Sequence, residues 1–129
     1  MEKTRNNHED IYPAGPSYIR SIKAGDHVYL SGITARGTSA SSGPPIDQLG
    51  IVLKRITDIV EAEGGKPSDI VMMTTYVINM NDFWPIGLEQ QKIWNEYFDG
   101  VYPTNSYVEV SALAEPGLAI EITATAVLT

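Results

Sequence analysis

The chain has 129 residues, of which 43% are hydrophobic, and a formal net charge of −7. This length is typical of one domain, and the hydrophobic fraction excludes a disordered chain. No apolar run approaches the roughly 18 residues that a membrane span needs, and the polar N-terminus does not resemble a signal peptide. With no cysteine, the chain cannot form disulfides, thiol nucleophiles or cysteine-bound metal sites. We therefore expect a single cytoplasmic domain without membrane contact.

The negative charge bears on possible partners. An acidic domain is repelled by phosphate backbones unless it carries a local basic patch. The nine Lys and Arg residues are scattered, and only Lys54 and Arg55 are adjacent. The sequence predicts no basic patch and no nucleic-acid partner.

The first half of the chain contains two short strands and a helix. Strands are predicted at 17–23 and 27–31, joined by a hairpin turn at Ala24-Gly25-Asp26. A loop rich in turn-forming residues follows at 36–45. Apolar residues at helical spacing then predict a helix over 47–63, which Gly64-Gly65 ends.

The second half contains the remaining elements. Residues 70–80 are β-branched and apolar on both faces, which predicts a buried strand. A helix is predicted at 85–98 with Pro85 in its first turn, followed by strands at 106–113 and 118–128. The order β-β-α-β-α-β-β predicts an α+β domain with one sheet backed by two helices, and leaves residues 1–14 as a flexible N-terminal segment.

Several local motifs are arranged in a recognisable order. They are Gly15-Pro16, Ser31-Gly32, the segment 79–83 (Asn-Met-Asn-Asp-Phe), the segment 102–110 (Tyr-Pro-Thr-Asn-Ser-Tyr-Val-Glu-Val) and the segment 119–124 (Ala-Ile-Glu-Ile-Thr-Ala). Together they resemble the RidA family, also called YjgF or L-PSP, over nearly the whole chain from Gly15 onward. The resemblance implies a chorismate-mutase-like fold, homotrimers with ligand clefts between subunits, and no cofactor.

The residue inventory limits the chemistry. The only histidines, His8 and His27, are far apart, and no metal-ligand spacing, Ser-His-Asp set or phosphate-binding loop occurs. Carboxylates, hydroxyls, amides and backbone donors remain. These groups can position and activate water, and no metal is expected.

Glu121 is the candidate catalytic residue. Strand alternation puts Ile120 and Ile122 on one face and Glu121 on the other, which by itself is the usual placement of a solvent-facing acid. In the RidA family the matching acid holds the water that attacks an imine carbon. The resemblance therefore favours Glu121 as the residue that orients water.

Asn105 departs from the family pattern, which has an arginine at this position. That arginine forms a two-pronged salt bridge with the carboxylate of the substrate, whereas Asn cannot neutralise a carboxylate. The resemblance thus implies that 2-iminopropanoate, the small imine of the archetype, is a poor substrate. Alternatively, Asn105 only makes turn hydrogen bonds at the start of a strand.

Two arginines are candidates to replace the missing charge. Arg20 is two residues from Tyr18, so both side chains are expected on one face of a strand. Arg36 begins the loop after the second strand. For each, an exposed solubilising arginine is the alternative. In the family a tyrosine just after Gly-Pro lines the pocket, and here Ser17 or Tyr18 takes that place.

Three further positions are candidates for substrate binding. Ser31-Gly32 ends the second strand, and small residues there let backbone groups approach a ligand; a plain turn is the alternative. Tyr107 stands where the family often has a small residue, so it would narrow the pocket or offer a hydroxyl.

Three functions follow from these observations. The favoured one is a Rid-family hydrolase or deaminase of a small imine, enamine or related metabolite, with 2-aminomuconate and similar unsaturated amino acids as one substrate class that the family suggests. The second is a trimeric small-molecule binding protein without catalysis. The third, endoribonuclease activity, is disfavoured by the charge of −7.

Overall fold

A computed structural model describes all 129 residues as one six-stranded sheet covered on one face by two helices. The predicted α+β class is therefore confirmed. The elements in chain order are β1 (Lys3–Asn6), β2 (Ser21–Ala24), β3 (His27–Ile33), α1 (Pro45–Ala62), β4 (Ile70–Val77), α2 (Leu88–Phe98), β5 (Thr104–Glu109) and β6 (Ile120–Val127). No helix is long and apolar enough to cross a membrane.

The order of the strands places the C-terminal strand at the centre of the sheet. The strands lie in the order β1-β2-β3-β6-β4-β5. All neighbours are antiparallel except β4 and β5, which are parallel and are joined through α2. Strand β6 is thus flanked by β3 and β4, and residues on it face one side or the other with strict alternation.

The hydrophobic core lies between the sheet and the helices. Strand β6 buries Ile120, Ile122, Ala124 and Ala126, while the residues between them stay half-exposed. Helix α1 packs on these side chains with the apolar stripe that its helical spacing predicts: Leu49, Val52, Leu53, Ile56 and Val60. The opposite face of the sheet carries no helix, and we call it the open face.

The structure differs from the predicted elements mainly near the N-terminus. Residues Lys3–Asn6, which we left outside the sheet, pair with β2 as an edge strand. The prediction of a strand from Ser17 was wrong, because β2 begins only at Ser21 and residues 17–20 bend across the end of β3. Helix α2 begins at Leu88 rather than Pro85, and β5 ends at Glu109.

Gln48 fixes the loop that leads into β6. This fully buried side chain donates from Nε2 to the carbonyl oxygens of Gly43 and Gly117, at 3.1 and 2.9 Å, and its Oε1 accepts from the Ala119 amide at 2.8 Å. The start of β6 is therefore held by an amide group that satisfies three backbone groups at once.

We expect Gln48→Ala to lower the free energy of unfolding by about 3 kcal/mol, because it leaves three buried backbone groups without partners. Urea unfolding at fixed protein concentration measures this change. Lys54→Ala, an exposed position on the same helix, is the matched control and should change stability by less than about 0.5 kcal/mol. Equal effects of the two variants would contradict the role of Gln48.

Candidate functional site

Glu121 lies on the open face of β6, packed against the backbone of β3. Strand β3 carries one extra residue here, since Leu30 faces Ala124 and Ile33 faces Ile122. The extra residue lies in the Ser31-Gly32 step. A Cβ atom added to Gly32 would lie 2.6 Å from Oε2 of Glu121. A side chain at position 32 would therefore displace the Glu121 carboxylate from this position.

The carboxylate of Glu121 has no hydrogen-bond donor from the protein. Burial raises the pKa of Glu121, and the nearby charge of Arg20 opposes the shift. Glu121 is therefore a more basic carboxylate than an exposed glutamate, and its oxygens remain available to a water molecule or a ligand. Such a group can accept a proton from water.

Arg20 is buried beneath Glu121 and Gly32 rather than exposed. Its Nη1 and Nε donate to the carbonyl oxygens of Gly32 and Tyr12, each at 2.7 Å, and Nη2 donates more weakly to Pro13. With none of its surface exposed, Arg20 cannot contact a substrate directly. The prediction that it binds substrate is therefore corrected: Arg20 acts through the residues that it holds.

The neighbouring candidates divide into one half-buried support, Ser31, and two exposed residues, Ser17 and Tyr18. The Ser31 hydroxyl donates to the Ile19 carbonyl oxygen at 2.5 Å, and this bond fastens the bend at 17–20 to β3. Tyr18 is half-exposed, and its ring lies 5.8 Å from the guanidinium carbon of Arg20. The two residues are close as predicted, but they lie in a bend and not on one face of a strand. Ser17 is exposed. Tyr18 is thus the residue that lies over Arg20 on the solvent side.

Asn105 lies on the opposite face of the sheet from Glu121. On β4, Thr75 and Tyr76 point to opposite faces; Asn105 bonds the Thr75 hydroxyl at 2.9 Å, whereas Glu121 pairs with Tyr76. The bond of Asn105 crosses between strands, so it is not the turn bond that we considered. Within one chain, Asn105 and Glu121 therefore cannot contact the same small ligand.

Asn105 lines a groove between β5, α2 and the turn before α2, which we call the aromatic groove. Its volume is about 240 Å³, and its walls are Trp84, Ile86, Gln91, Trp94, Tyr102, Pro103, Asn105 and Tyr107. No charged side chain is among them. The groove is suited to a flat or apolar group and offers polar contact through amides and hydroxyls.

Tyr107 contributes its ring to the aromatic groove and turns its hydroxyl away. The hydroxyl donates to Oε1 of the buried Gln90 at 2.8 Å, and burial raises the pKa of Tyr107 to about 12. The Trp84 ring lies 5.6 Å from that of Tyr107. Of the two roles predicted for Tyr107, the structure favours narrowing the pocket.

Arg36 lies apart from both Glu121 and Asn105. Arg36 borders a different groove at the end of β3, together with Tyr12 and Arg55. The structure therefore brings together Glu121, Gly32, Ser31, Arg20 and Tyr18, places Asn105 and Tyr107 in a second group, and leaves Arg36 outside both.

The sequence did not identify most of the aromatic groove. Trp84 and Tyr102 are about half-exposed, and Ile86, which falls within the helix predicted at 85–98, is exposed. The shift of the helix start from Pro85 to Leu88 frees this segment to form a wall of the groove. The sequence offered one indication of this groove: Trp84 and Tyr102 lie close to the two ends of the helix predicted at 85–98.

Known proteins are similar to this chain in both sequence and fold. The profile of the family described as Endoribonuclease L-PSP matches residues 8–128. A RutC family protein of Pyrococcus horikoshii is 36% identical over 117 residues, which cover 88% of each chain. The 2-iminobutanoate/2-iminopropanoate deaminase of Dermatophagoides farinae is 33% identical over 78% of this chain and 77% of its own.

A solved structure agrees with these matches. A member of the YjgF/YER057c/UK114 family from Mycobacterium tuberculosis superposes with a TM-score of 0.78 at 26% identity, covering 98% of this chain and all of the other. The match extends over both helices and the whole sheet, so the resemblance of the short motifs reflects common descent of the entire domain. The chain belongs to the RidA/YjgF/L-PSP family.

Proposed function

We propose that this protein is a hydrolase that releases ammonia from an imine or enamine, with Glu121 as the residue that activates water. One observation carries the proposal: Glu121 holds a carboxylate of raised pKa against the bare backbone of Gly32, without a donor from the protein. The deaminase of Dermatophagoides farinae, a relative over most of the chain, supports the same reaction class.

The reaction needs only water and one proton acceptor. Glu121 takes a proton from water as the water oxygen bonds to the imine carbon, and it passes this proton to the imine nitrogen, which yields a carbinolamine. Glu121 then takes the hydroxyl proton of the carbinolamine and gives it to the nitrogen as the C–N bond breaks, so that ammonia leaves and a carbonyl group remains. Every step uses proton transfer to or from a carboxylate whose raised pKa suits it to both roles.

The aromatic groove indicates the substrate class. The groove holds four aromatic side chains and no cation, and its amide, Asn105, stands where the resemblance to the family implies an arginine. A neutral amide gives a carboxylate about 0.5–1.5 kcal/mol, against about 1.5–3 kcal/mol for a charged donor. We infer a substrate with a flat or bulky apolar group rather than 2-iminopropanoate.

A site that uses both Glu121 and Asn105 requires two copies of the chain, because the two residues lie on opposite faces of one sheet. The open face that bears Glu121 also exposes Met72, Tyr29 and Val108, at 55%, 47% and 40%. Apolar surface on an uncovered sheet face is typical of a subunit contact. We propose a homotrimer in which each cleft combines Glu121 of one subunit with the aromatic groove of the next.

A binding protein without catalysis is the second candidate, and the exposed aromatic groove favours it. Such a protein would tolerate glutamine in place of Glu121. Cleavage of RNA, which the family description names, has weaker support because the net charge of −7 repels phosphate backbones.

We expect Glu121→Gln to abolish ammonia release while the fold and the oligomer persist, because glutamine cannot accept a proton. The assay supplies imines by oxidising a panel of amino acids in situ, with aromatic side chains included. In the wild type, kcat/KM should rise with pH as the carboxyl group loses its proton. The acidic limb should lie above the usual glutamate range, since the pKa of Glu121 is raised.

Unchanged turnover in Glu121→Gln would reject the catalytic role. A fall in melting temperature and oligomer mass together with activity would assign Glu121 a structural role instead. Glu109→Gln, at an exposed carboxylate on β5, is the matched control and should leave turnover intact.

Asn105→Arg should raise kcat/KM for 2-iminopropanoate by about ten- to a hundred-fold, because it restores a charged donor to the substrate carboxylate. Steady-state kinetics on both proteins measures the gain, and Asn105→Gln, which keeps the amide, should show none. Wild-type activity equal to that of Asn105→Arg would mean that another residue already supplies the charge.

Light scattering at micromolar concentration should give a mass of three chains of 14.1 kDa each. Met72→Glu places a charge on the exposed apolar part of the open face and should lower this mass, while Leu88→Glu, at a more exposed apolar residue that begins α2, should not. A monomeric wild type would contradict the shared cleft.

A further inference from the structure

Three of the four arginines of this acidic chain meet around a single ring, that of Tyr12. The guanidinium carbons of Arg55 and Arg20 lie 3.9 and 4.2 Å from its centroid, and that of Arg36 lies 5.8 Å away. These residues come from α1, from the bend before β2 and from the loop after β3. The prediction that the chain has no basic cluster is therefore wrong, because the fold brings together arginines that are far apart in sequence.

No carboxylate forms an ion pair with the three guanidinium groups, and Glu115 and Glu121 act on Arg36 and Arg20 only at longer range. The four ion pairs of the structure involve histidines and lysines, and none includes an arginine. Burial lowers the pKa of Arg55, and the charges of Arg20 and Arg36 act in the same direction. Stacking on the ring of Tyr12 offsets part of this repulsion, since its face attracts cations. The cluster nonetheless retains a positive charge that an anion would stabilise.

The cluster also has donors left over. The guanidinium of Arg20 donates to three backbone carbonyl oxygens. Nη1 of Arg55 donates to the carbonyl oxygens of Thr34 and Arg36, at 2.5 and 3.0 Å. Nε and Nη2 of Arg55 donate no hydrogen bond within the protein, and the guanidinium of Arg36 has only the neighbouring Tyr12 hydroxyl, which raises the pKa of Arg36. None of these nitrogens is both buried and unpartnered, so they are accessible to solvent.

These donors border an open groove of about 580 Å³, which we call the arginine groove. Its walls are Ile11, Tyr12, Pro13, Arg36, Gly37, Ser41, Arg55 and Glu115. Glu115 is the one acid among them, and it makes no ion pair with either arginine. Neither Glu121 nor Asn105 is among its walls, although the buried Arg20 contacts both Tyr12 of this groove and Gly32 beside Glu121.

We propose that the arginine groove binds the oxyanion group, phosphate or carboxylate, of a small metabolite. Guanidinium groups match both anions with paired N–H donors, and Arg36 and Arg55 offer such donors from two sides. The hydroxyl of Ser41 and the Gly37 backbone, where a side chain would meet no atom within 4 Å, leave room for the ligand. This binding does not depend on the proposed hydrolase activity.

Calorimetric titration with inorganic phosphate and with citrate, at ionic strength held constant with sodium chloride, tests the proposal on the full chain. We expect saturable binding of at least one anion, weakened about ten-fold or more by Arg36→Gln, which removes charged donors from the ligand. Arg36 makes no side-chain bond to the backbone, so its replacement should leave the fold intact. Arg5→Gln, an equal loss of charge on exposed strand β1, should leave the affinity unchanged.

Arg55→Lys is the second variant, because it keeps the charge and loses the paired donors; it should weaken binding with an unchanged circular dichroism spectrum. Preference for phosphate or for citrate identifies which oxyanion the groove takes, and either supports the proposal. Equal losses in Arg5→Gln and Arg36→Gln would reduce the effect to net charge and overturn it.

Two other results would also overturn the proposal. One is the absence of anion binding combined with a loss of oligomer mass in Arg36→Gln, which would mean that a carboxylate of a neighbouring copy fills the groove. The other is tight binding of an RNA oligonucleotide that Arg36→Gln abolishes, without competition by phosphate or citrate.

Discussion

The hydrogen bonds of the buried Arg20 guanidinium support both the backbone beside Glu121 and the backbone at Tyr12 in the arginine groove. It joins the carbonyl groups of Tyr12 and Pro13, in the N-terminal segment, to that of Gly32 in the bulge of β3. A buried charge is costly unless polar groups surround it, and here backbone carbonyls and an aromatic face do so. Arg20 thereby fixes the peptide against which Glu121 packs, and it is also the charge that opposes the rise in the pKa of Glu121.

The second constraint is the alternation of side chains across the sheet. Strand β4 lies between β5 and β6, and its Thr75 and Tyr76 mark the two faces on which Asn105 and Glu121 lie. A shift of β6 by one residue against β4 would bring Glu121 to the face of Asn105, but it would also expose the buried isoleucines of β6. Burial of the core therefore separates the two candidate site residues within a chain. Any shared role of these residues has to come from assembly.

The sequence predicted the features that depend on local periodicity. Alternation along 120–126 identified the face of Glu121, and helical spacing identified the buried stripe of α1, because both patterns repeat along a continuous segment. The short edge strand β1 has no such pattern, since all four of its residues are exposed. The arginine cluster was invisible for another reason: Arg20, Arg36 and Arg55 are brought together only by tertiary packing around Tyr12, and their spacing in the chain carries no periodic signal.

The two grooves of this chain differ in positive charge. The aromatic groove has the neutral amide of Asn105 and no cation, whereas arginines cluster at the far end of β3. A carboxylate entering the aromatic groove would lose its hydration without gaining a charged partner, which costs free energy. An apolar group entering the same groove gains burial at no such cost. The two grooves therefore favour different chemical groups, and the selectivity of the aromatic groove arises as much from the missing cation as from its rings.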